Sequence, residues 1–321
     1  MPAFPREELK DAVAALAREQ VFVGTSSWKY EGWLGMLYTP ERYLTGRRIS
    51  RAKFEKTCLA EYAEVFKTVC LDAGFYQFPG APMLDNIFSQ VPGDFRLALK
   101  VTEDITVSQF PSLPRYGKRA GLANDHFLDA DLFIASFLGP LERYRAQVGA
   151  IIFEFSPFAP GEWERGLRFV EALDGFLGRL PKGWDYAVEI RNPDLLQPDY
   201  FAVLRRHGVA HTFNSWSRMP PVDEQVALPG SFTADFTAAR FLLKPGRTYE
   251  QAVKIFQPYR EVQEPYLAAR EALKDLLTTK PGRPARRWIY VNNRLEGCSL
   301  WTIYAALAGL LKKSEADRIL R

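Results

Sequence analysis

The sequence predicts an α/β fold: a closed, TIM-like (β/α)8 barrel with an N-terminal helix and long loops on its top face. Eight short apolar runs alternate with helical stretches along the 321 residues, the pattern of a parallel sheet joined by crossover helices. No linker, repeat or shift of composition separates them, so one domain is expected over 1–321, with the barrel itself over about 21–312. An open doubly wound sheet would carry a glycine-rich fingerprint after its first strand. Here that place holds Gly24-Thr25-Ser26-Ser27-Trp28.

Taken in order, Pro5 to Arg18 reads as an amphipathic helix and Val21 to Gly24 as the first strand. An aromatic loop with Tyr30, Trp33 and Tyr38 follows. Ser50 is placed to cap a helix running to about Phe66. Thr68 to Asp72 and Arg96 to Thr102 read as the second and third strands, with a short helix between them bounded by Pro79-Gly80-Ala81-Pro82 and Pro92-Gly93. Glu103 to Asn124 is loop-like and locally basic through Arg115, Lys118 and Arg119; long loops of this kind serve as lids or binding loops.

A helix is expected from Asp125 to Tyr144, a nearly continuous apolar strand from Val148 to Phe155, and a helix from Glu162 to Leu180. The fifth strand, Ala187-Val188-Glu189-Ile190-Arg191-Asn192, puts Val188 and Ile190 on one face and Ala187, Glu189 and Arg191 on the other. A helix from Leu195 to His207 leads to strand six, Val209 to Trp216. A weaker helix over Asp223 to Leu228 precedes strand seven, Ala239 to Lys244. Tyr249 to Leu277 is helical but interrupted by Pro258 and Pro265; Trp288 to Asn293 is the eighth strand and Ser299 to Leu311 the last helix.

Composition narrows the function. A net charge of +4, with Lys and Arg nearly balancing Asp and Glu, argues against dedicated duplex-DNA binding, which needs a concentrated basic face. Aromatic residues at 14% allow either a large core or an aromatic-lined cleft. Cys58, Cys70 and Cys298 follow no zinc or disulfide spacing, and free thiols suit a reducing cytoplasm. No apolar run approaches a membrane span, and the N-terminus is charged and helix-like rather than a signal peptide. The three histidines are scattered, and His207, beside Gly208, is expected at a solvated helix end.

Gly24-Thr25-Ser26-Ser27-Trp28, with Trp33 and Tyr38 ahead of Pro40, resembles the opening motif of the YecE-like family, a domain of unknown function (number 72). The likeness continues through Phe75-Tyr76 and Pro79, Phe95 to Lys100, Glu189-Ile190-Arg191, and Tyr290-Val291-Asn292-Asn293 with Glu296-Gly297. It implies a TIM-like barrel with a polar cleft at the strand C-termini and carries no established reaction with it. The chain looks divergent. Cys70 and Asp72 stand where the family usually has Glu and Asn, Asn192 where a His often follows the Glu-x-Arg, and Glu154 where Gln is common. Lys244-Pro245-Gly246-Arg247 replaces a basic and His-containing element.

Barrels do their chemistry at the strand C-termini. The residues expected there are Ser26, Ser27, Trp28, Asp72, Tyr76, Lys100, Glu154, Glu189, Arg191, Asn192, Asn214, Trp216, Lys244, Arg247, Asn292, Asn293 and Glu296. A carboxylate among cations stays ionised and can act as a base, which makes Glu189 the first choice for acid–base work, with Lys100 and Arg191 stabilising negative charge. A structural ion-pair network closing the barrel is the competing account of the same residues. Asn214 and Asn292 would bind by hydrogen bonds, Trp28, Trp33, Tyr76 and Trp216 by stacking. Asp72, Glu154, Glu189 and Glu296 could hold Mg²⁺ or Mn²⁺, but without a histidine cluster no obligatory metal or other cofactor is expected. Gly246, Gly297 and Arg247 mark the quarter where barrels bind phosphate. Together these features suit a hydrolase or isomerase/lyase acting on a small anionic or carbohydrate-like molecule. A binding protein without turnover, for a small ligand or single-stranded nucleic acid, and a degenerate barrel are the alternatives.

Overall fold

A computed structural model of the chain describes residues 3–72, 77–158 and 166–308. Eight parallel strands close into a barrel: β1 (Val21–Thr25), β2 (Thr68–Leu71), β3 (Arg96–Lys100), β4 (Val148–Phe155), β5 (Asp185–Ile190), β6 (Ala210–Ser215), β7 (Phe236–Phe241) and β8 (Arg286–Val291). Each pairs with its sequence neighbour, and β1 closes the ring against β8. Gly24 permits the close approach of β1 to β2, since a Cβ there would stand 2.1 Å from the Thr68 carbonyl oxygen. Among the described residues no helix is long and apolar enough to cross a membrane.

Two apolar layers follow from the alternation of each strand. Outward residues such as Val188 and Ile190 pack, with the helices, in the larger core. Inward residues form a smaller cluster: Phe22, Cys70, Ala98, Ala150, Ile152, Ala187, Ala210, Phe236, Ala238, Trp288 and Tyr290. Alanines on β3 to β6 (Ala98, Ala150, Ala187 and Ala210) share this cluster with the larger Phe22, Phe236, Trp288 and Tyr290. The Trp288 and Phe22 rings stack at 4.5 Å and fill the space the alanines leave. Above this plug the inward positions turn polar, and that change of character positions the site.

Several helices match the local signals. The Ser50 side chain accepts from the Lys53 amide and starts the helix Arg51–Val65. The two prolines split the long helical stretch into Tyr249–Phe256 and Leu267–Leu277. Other boundaries need correction. The helix expected from Asp125 begins at Ala130, where the Asp129 side chain caps the Leu132 amide, and it becomes a π-helix over Phe133–Leu138. Strand seven runs Phe236–Phe241, not Ala239 to Lys244, because the buried Phe241-Leu242-Leu243 run continues past the end of the ladder. Strand eight likewise begins earlier, at Arg286. His207 is not solvated: its Nε2 lies 2.6 Å from Asp174 Oδ1 and ties two neighbouring helices together. The expected starts and ends at Glu162 and Leu311 lie outside the described residues.

Candidate functional site

Strand alternation carries three cations and three carboxylates onto the inward face at the C-terminal end of the barrel. Glu154 and Glu189 sit side by side in the β4–β5 register, and Arg240 is level with Asn214 and Tyr290 across β6, β7 and β8. Lys100 ends β3, Arg191 follows β5, and Asp72 follows β2.

These six side chains form one network. Arg240 Nη1 donates to Glu154 Oε2 and Glu189 Oε2, each at 2.6 Å, while its Nη2 lies 3.4 Å from Asp72 Oδ1. Arg191 Nη2 stands 2.5 Å from Glu189 Oε1 and 3.0 Å from Glu154 Oε2. Lys100 Nζ is 3.0 Å from Glu154 Oε2 and 3.7 Å from Asp72 Oδ1. The Arg191 guanidinium also lies over the Trp216 ring at 3.7 Å, a geometry in which the planar cation is attracted to the indole face. Exposure is graded: 0% of the Glu189 side chain is accessible, 12% of Glu154 and 38% of Asp72. Glu189 is therefore the floor of the network and Asp72 its rim.

Electrostatics set the protonation of the buried members. Burial pushes the Glu154 carboxyl up, but Arg191, Lys100 and Arg240 together hold it well below the usual carboxylate range. Burial works against the Arg240 charge, and Glu189, Glu154 and Asp72 more than restore it, so its guanidinium stays protonated. Cys70, one layer deeper, has its thiol pushed up to about 12 by burial and remains neutral.

The other residues expected at the strand ends fall into two groups. Asn214 is fully buried and donates to the Ile190 and Thr212 carbonyls, and Trp216 lies under Arg191. Asn192 Oδ1 accepts from the Phe158 amide and ties the loops after β4 and β5. These join or border the network. Ser27 is half-buried and its carbonyl accepts from Thr25 Oγ1. The remaining residues are engaged elsewhere. Trp33 is wholly buried between Tyr30 and Tyr38, and Trp28 is also in the core, so neither presents a free stacking face. Glu296 is paired with Arg270 and Thr302 rather than with the other three acids. Arg247 pairs with Glu264, and Lys244 is exposed near the Tyr266 ring. Asn292 and Asn293 hold the turn after β8 through the Arg294 and Ser299 amides. Tyr76 lies outside the described residues. Among the described residues no group of three or more His, Cys, Asp and Glu side chains is arranged to hold a metal ion.

Sequence reasoning missed Arg240, the residue that touches all three carboxylates. Its signal was a lone arginine in the apolar run Phe236 to Leu243; starting the strand at Phe236 places Phe236, Ala238 and Arg240 on one face.

The family described as protein of unknown function DUF72 matches residues 22–318 of the chain. The chain belongs to the DUF72 family. This is the family that the Gly24 to Trp28 motif and its followers resemble. A solved DUF72 structure from Thermotoga maritima MSB8 is 19% identical, with a TM-score of 0.59 over 91% of this chain and 99% of that one. Another, from Enterococcus faecalis V583, is 16% identical, with a TM-score of 0.58 over 90% of this chain and 95% of that one. At such identities the likeness establishes the barrel fold alone. The comparison with curated proteins gives no match.

The network of this DUF72 barrel is not fully satisfied. Among the described residues, Ser26 Oγ, Thr212 Oγ1, Asn214 Oδ1, Arg191 Nε and Nη1, and Arg240 Nε are buried without a hydrogen-bond partner. These six lie at inward positions or in the network itself, while others, such as Trp33 Nε1, His211 Nε2 and Arg287 Nη2, lie elsewhere in the barrel. A buried polar atom left unpaired costs about 1–3 kcal/mol, so these six are points at which a polar partner would be stabilising.

Proposed function

We propose that this DUF72 barrel binds a small polar molecule at the C-terminal mouth of its strands, met by Asp72, Lys100, Glu154 and Arg191. The observation that carries this reading is the group of unpartnered donors and acceptors on the inward face beside the ion network. Packing alone has no use for them, because a buried ionic cluster is commonly matched or bettered in stability by apolar side chains of similar volume. Glu189, closed off beneath Arg191 and Arg240, acts as a positioning residue. Glu154, held ionised by three cations, is a weak proton acceptor and serves instead to accept hydrogen bonds from the ligand.

A second reading, an acid–base hydrolase or isomerase/lyase, draws on the pair Lys100 and Asp72, 3.7 Å apart at the accessible edge. Turnover that D72N abolishes while binding persists would favour it. Single-stranded nucleic acid finds less support, since Arg119 pairs with Asp104 and Arg115 lies 3.9 Å from Glu103. Three free, buried cysteines accord with a reducing compartment such as the cytoplasm.

Crystals soaked in a mixture of hexoses, inositol and hydroxy acids test the main reading. Difference density touching Lys100 and Glu154, and lost in E154Q, is the expected result. Density only on the outer surface, or undiminished in E154Q, overturns it.

A further inference from the structure

We infer that the molecule bound at this mouth is electrically neutral and rich in hydroxyl groups, a small polyol such as a monosaccharide or cyclitol, rather than an anion. The inference rests on the reading of the mouth as a ligand site and narrows its chemistry.

Charge is the first ground. Lys100, Arg191 and Arg240 are matched one for one by Asp72, Glu154 and Glu189, and every member contacts an opposite charge within 4 Å. An anion entering this balanced, largely buried cluster would bring a charge without a counterpart, and uncompensated buried charge is penalised heavily. A neutral ligand leaves the balance untouched.

The unpartnered atoms are the second ground. Arg191 Nε and Nη1 and Arg240 Nε need acceptors, Asn214 Oδ1 needs a donor, and Ser26 Oγ can be either. A hydroxyl group both donates and accepts, so a single kind of ligand group suits both the donors and the acceptors in this set. A phosphomonoester dianion group or a carboxylate group only accepts, so it is the hydroxyls of a ligand that could meet Asn214 Oδ1.

Much of the usual anion equipment of a barrel is otherwise employed. Arg247 Nη2 is bound to Glu264, although its Nη1 has no partner. The helix Tyr249–Phe256 is capped by its own Thr248–Gln251 box, and Asn293 occupies the Ser299 amide at the start of the helix over 299–308.

Ligand-observed NMR with two panels tests the inference: hexoses, pentoses and myo-inositol on one side, inorganic phosphate, citrate and phosphorylated hexoses on the other. The expected result is that at least one neutral polyol binds wild type and that the anions neither bind nor displace it. E154Q and D72N each leave the cluster one positive charge in excess, so anion affinity should rise by about tenfold. Asp72 is the most exposed of the six, and D72N keeps this arm readable should E154Q not fold. If an anion binds wild type at the mouth more tightly than every polyol, the neutral-ligand inference fails while the site reading stands. If neither panel binds, both fail.

Discussion

Arg240 Nη1 lies 2.6 Å from Glu189 Oε2, inside the barrel and between residues 51 positions apart in the chain. Only 3% and 0% of the two side chains are exposed, so neither has water to fall back on. R240M leaves Glu189 and Glu154 short of a counter-charge and should cost about 3–5 kcal/mol in urea unfolding. R240K keeps the charge but loses the planar fork that reaches two carboxylates at once, and should fall between. A loss below about 1 kcal/mol for R240M would show that the network contributes little to the fold.

Acid should weaken the fold in two windows. His211, buried on β6, has its pKa lowered by burial from 6.5 to about 3. Between those values the unfolded chain takes a proton that the folded chain refuses, so stability falls as the pH drops below 6.5. Glu154 acts lower. Its contribution is complete above its unperturbed value of 4.5 and is lost as the pH falls through the depressed folded value. Denaturant midpoints measured from neutral pH downward should therefore flatten in the upper window for H211Q and in the lower one for E154Q. Identical pH profiles for both variants and wild type would contradict this assignment.

The three thiols should be silent in the native protein. Burial pushes Cys58 and Cys70 up to about 12 and Cys298 up to about 11, and none reaches the surface. Titration with a thiol-reactive disulfide at mildly alkaline pH should find no fast-reacting cysteine until denaturant is added, then all three. A fast native thiol would mean that the barrel opens readily.

Gly297 tests whether the turn after β8 is a packing device. Its φ is +119°, and a Cβ would stand 2.5 Å from the Glu261 carbonyl oxygen and 3.0 Å from the Gln263 amide nitrogen. G297A should lose about 1–3 kcal/mol of stability, read as a lower denaturant midpoint. An unchanged midpoint would leave the glycine free for ligand approach.

The barrel was legible because each strand is an apolar run between helices, and because Pro258 and Pro265 break the one long helical stretch where proline must. The fifth strand was legible at the level of faces: alternation alone sends Glu189 and Arg191 to the axis. Strand ends were less so. Leu242 and Leu243 are buried beyond the ladder of β7, and the apolar run they continue from Phe241 drew the expected strand three residues late and hid Arg240. Trp33 misled for a related reason. A loop aromatic reads as available, yet here the loop folds back and buries it completely. The partners of Arg247 and Glu296, Glu264 and Arg270, come from a neighbouring segment that no local pattern links to them.

As proposed, the charged mouth is a ligand site and more than a structural seal. Its most direct measurement is ligand-induced thermal stabilisation of wild type and E154Q side by side, with a polyol that raises the wild-type Tm. A folded E154Q whose Tm does not respond to that polyol is the expected result. An equal rise in both proteins would contradict it.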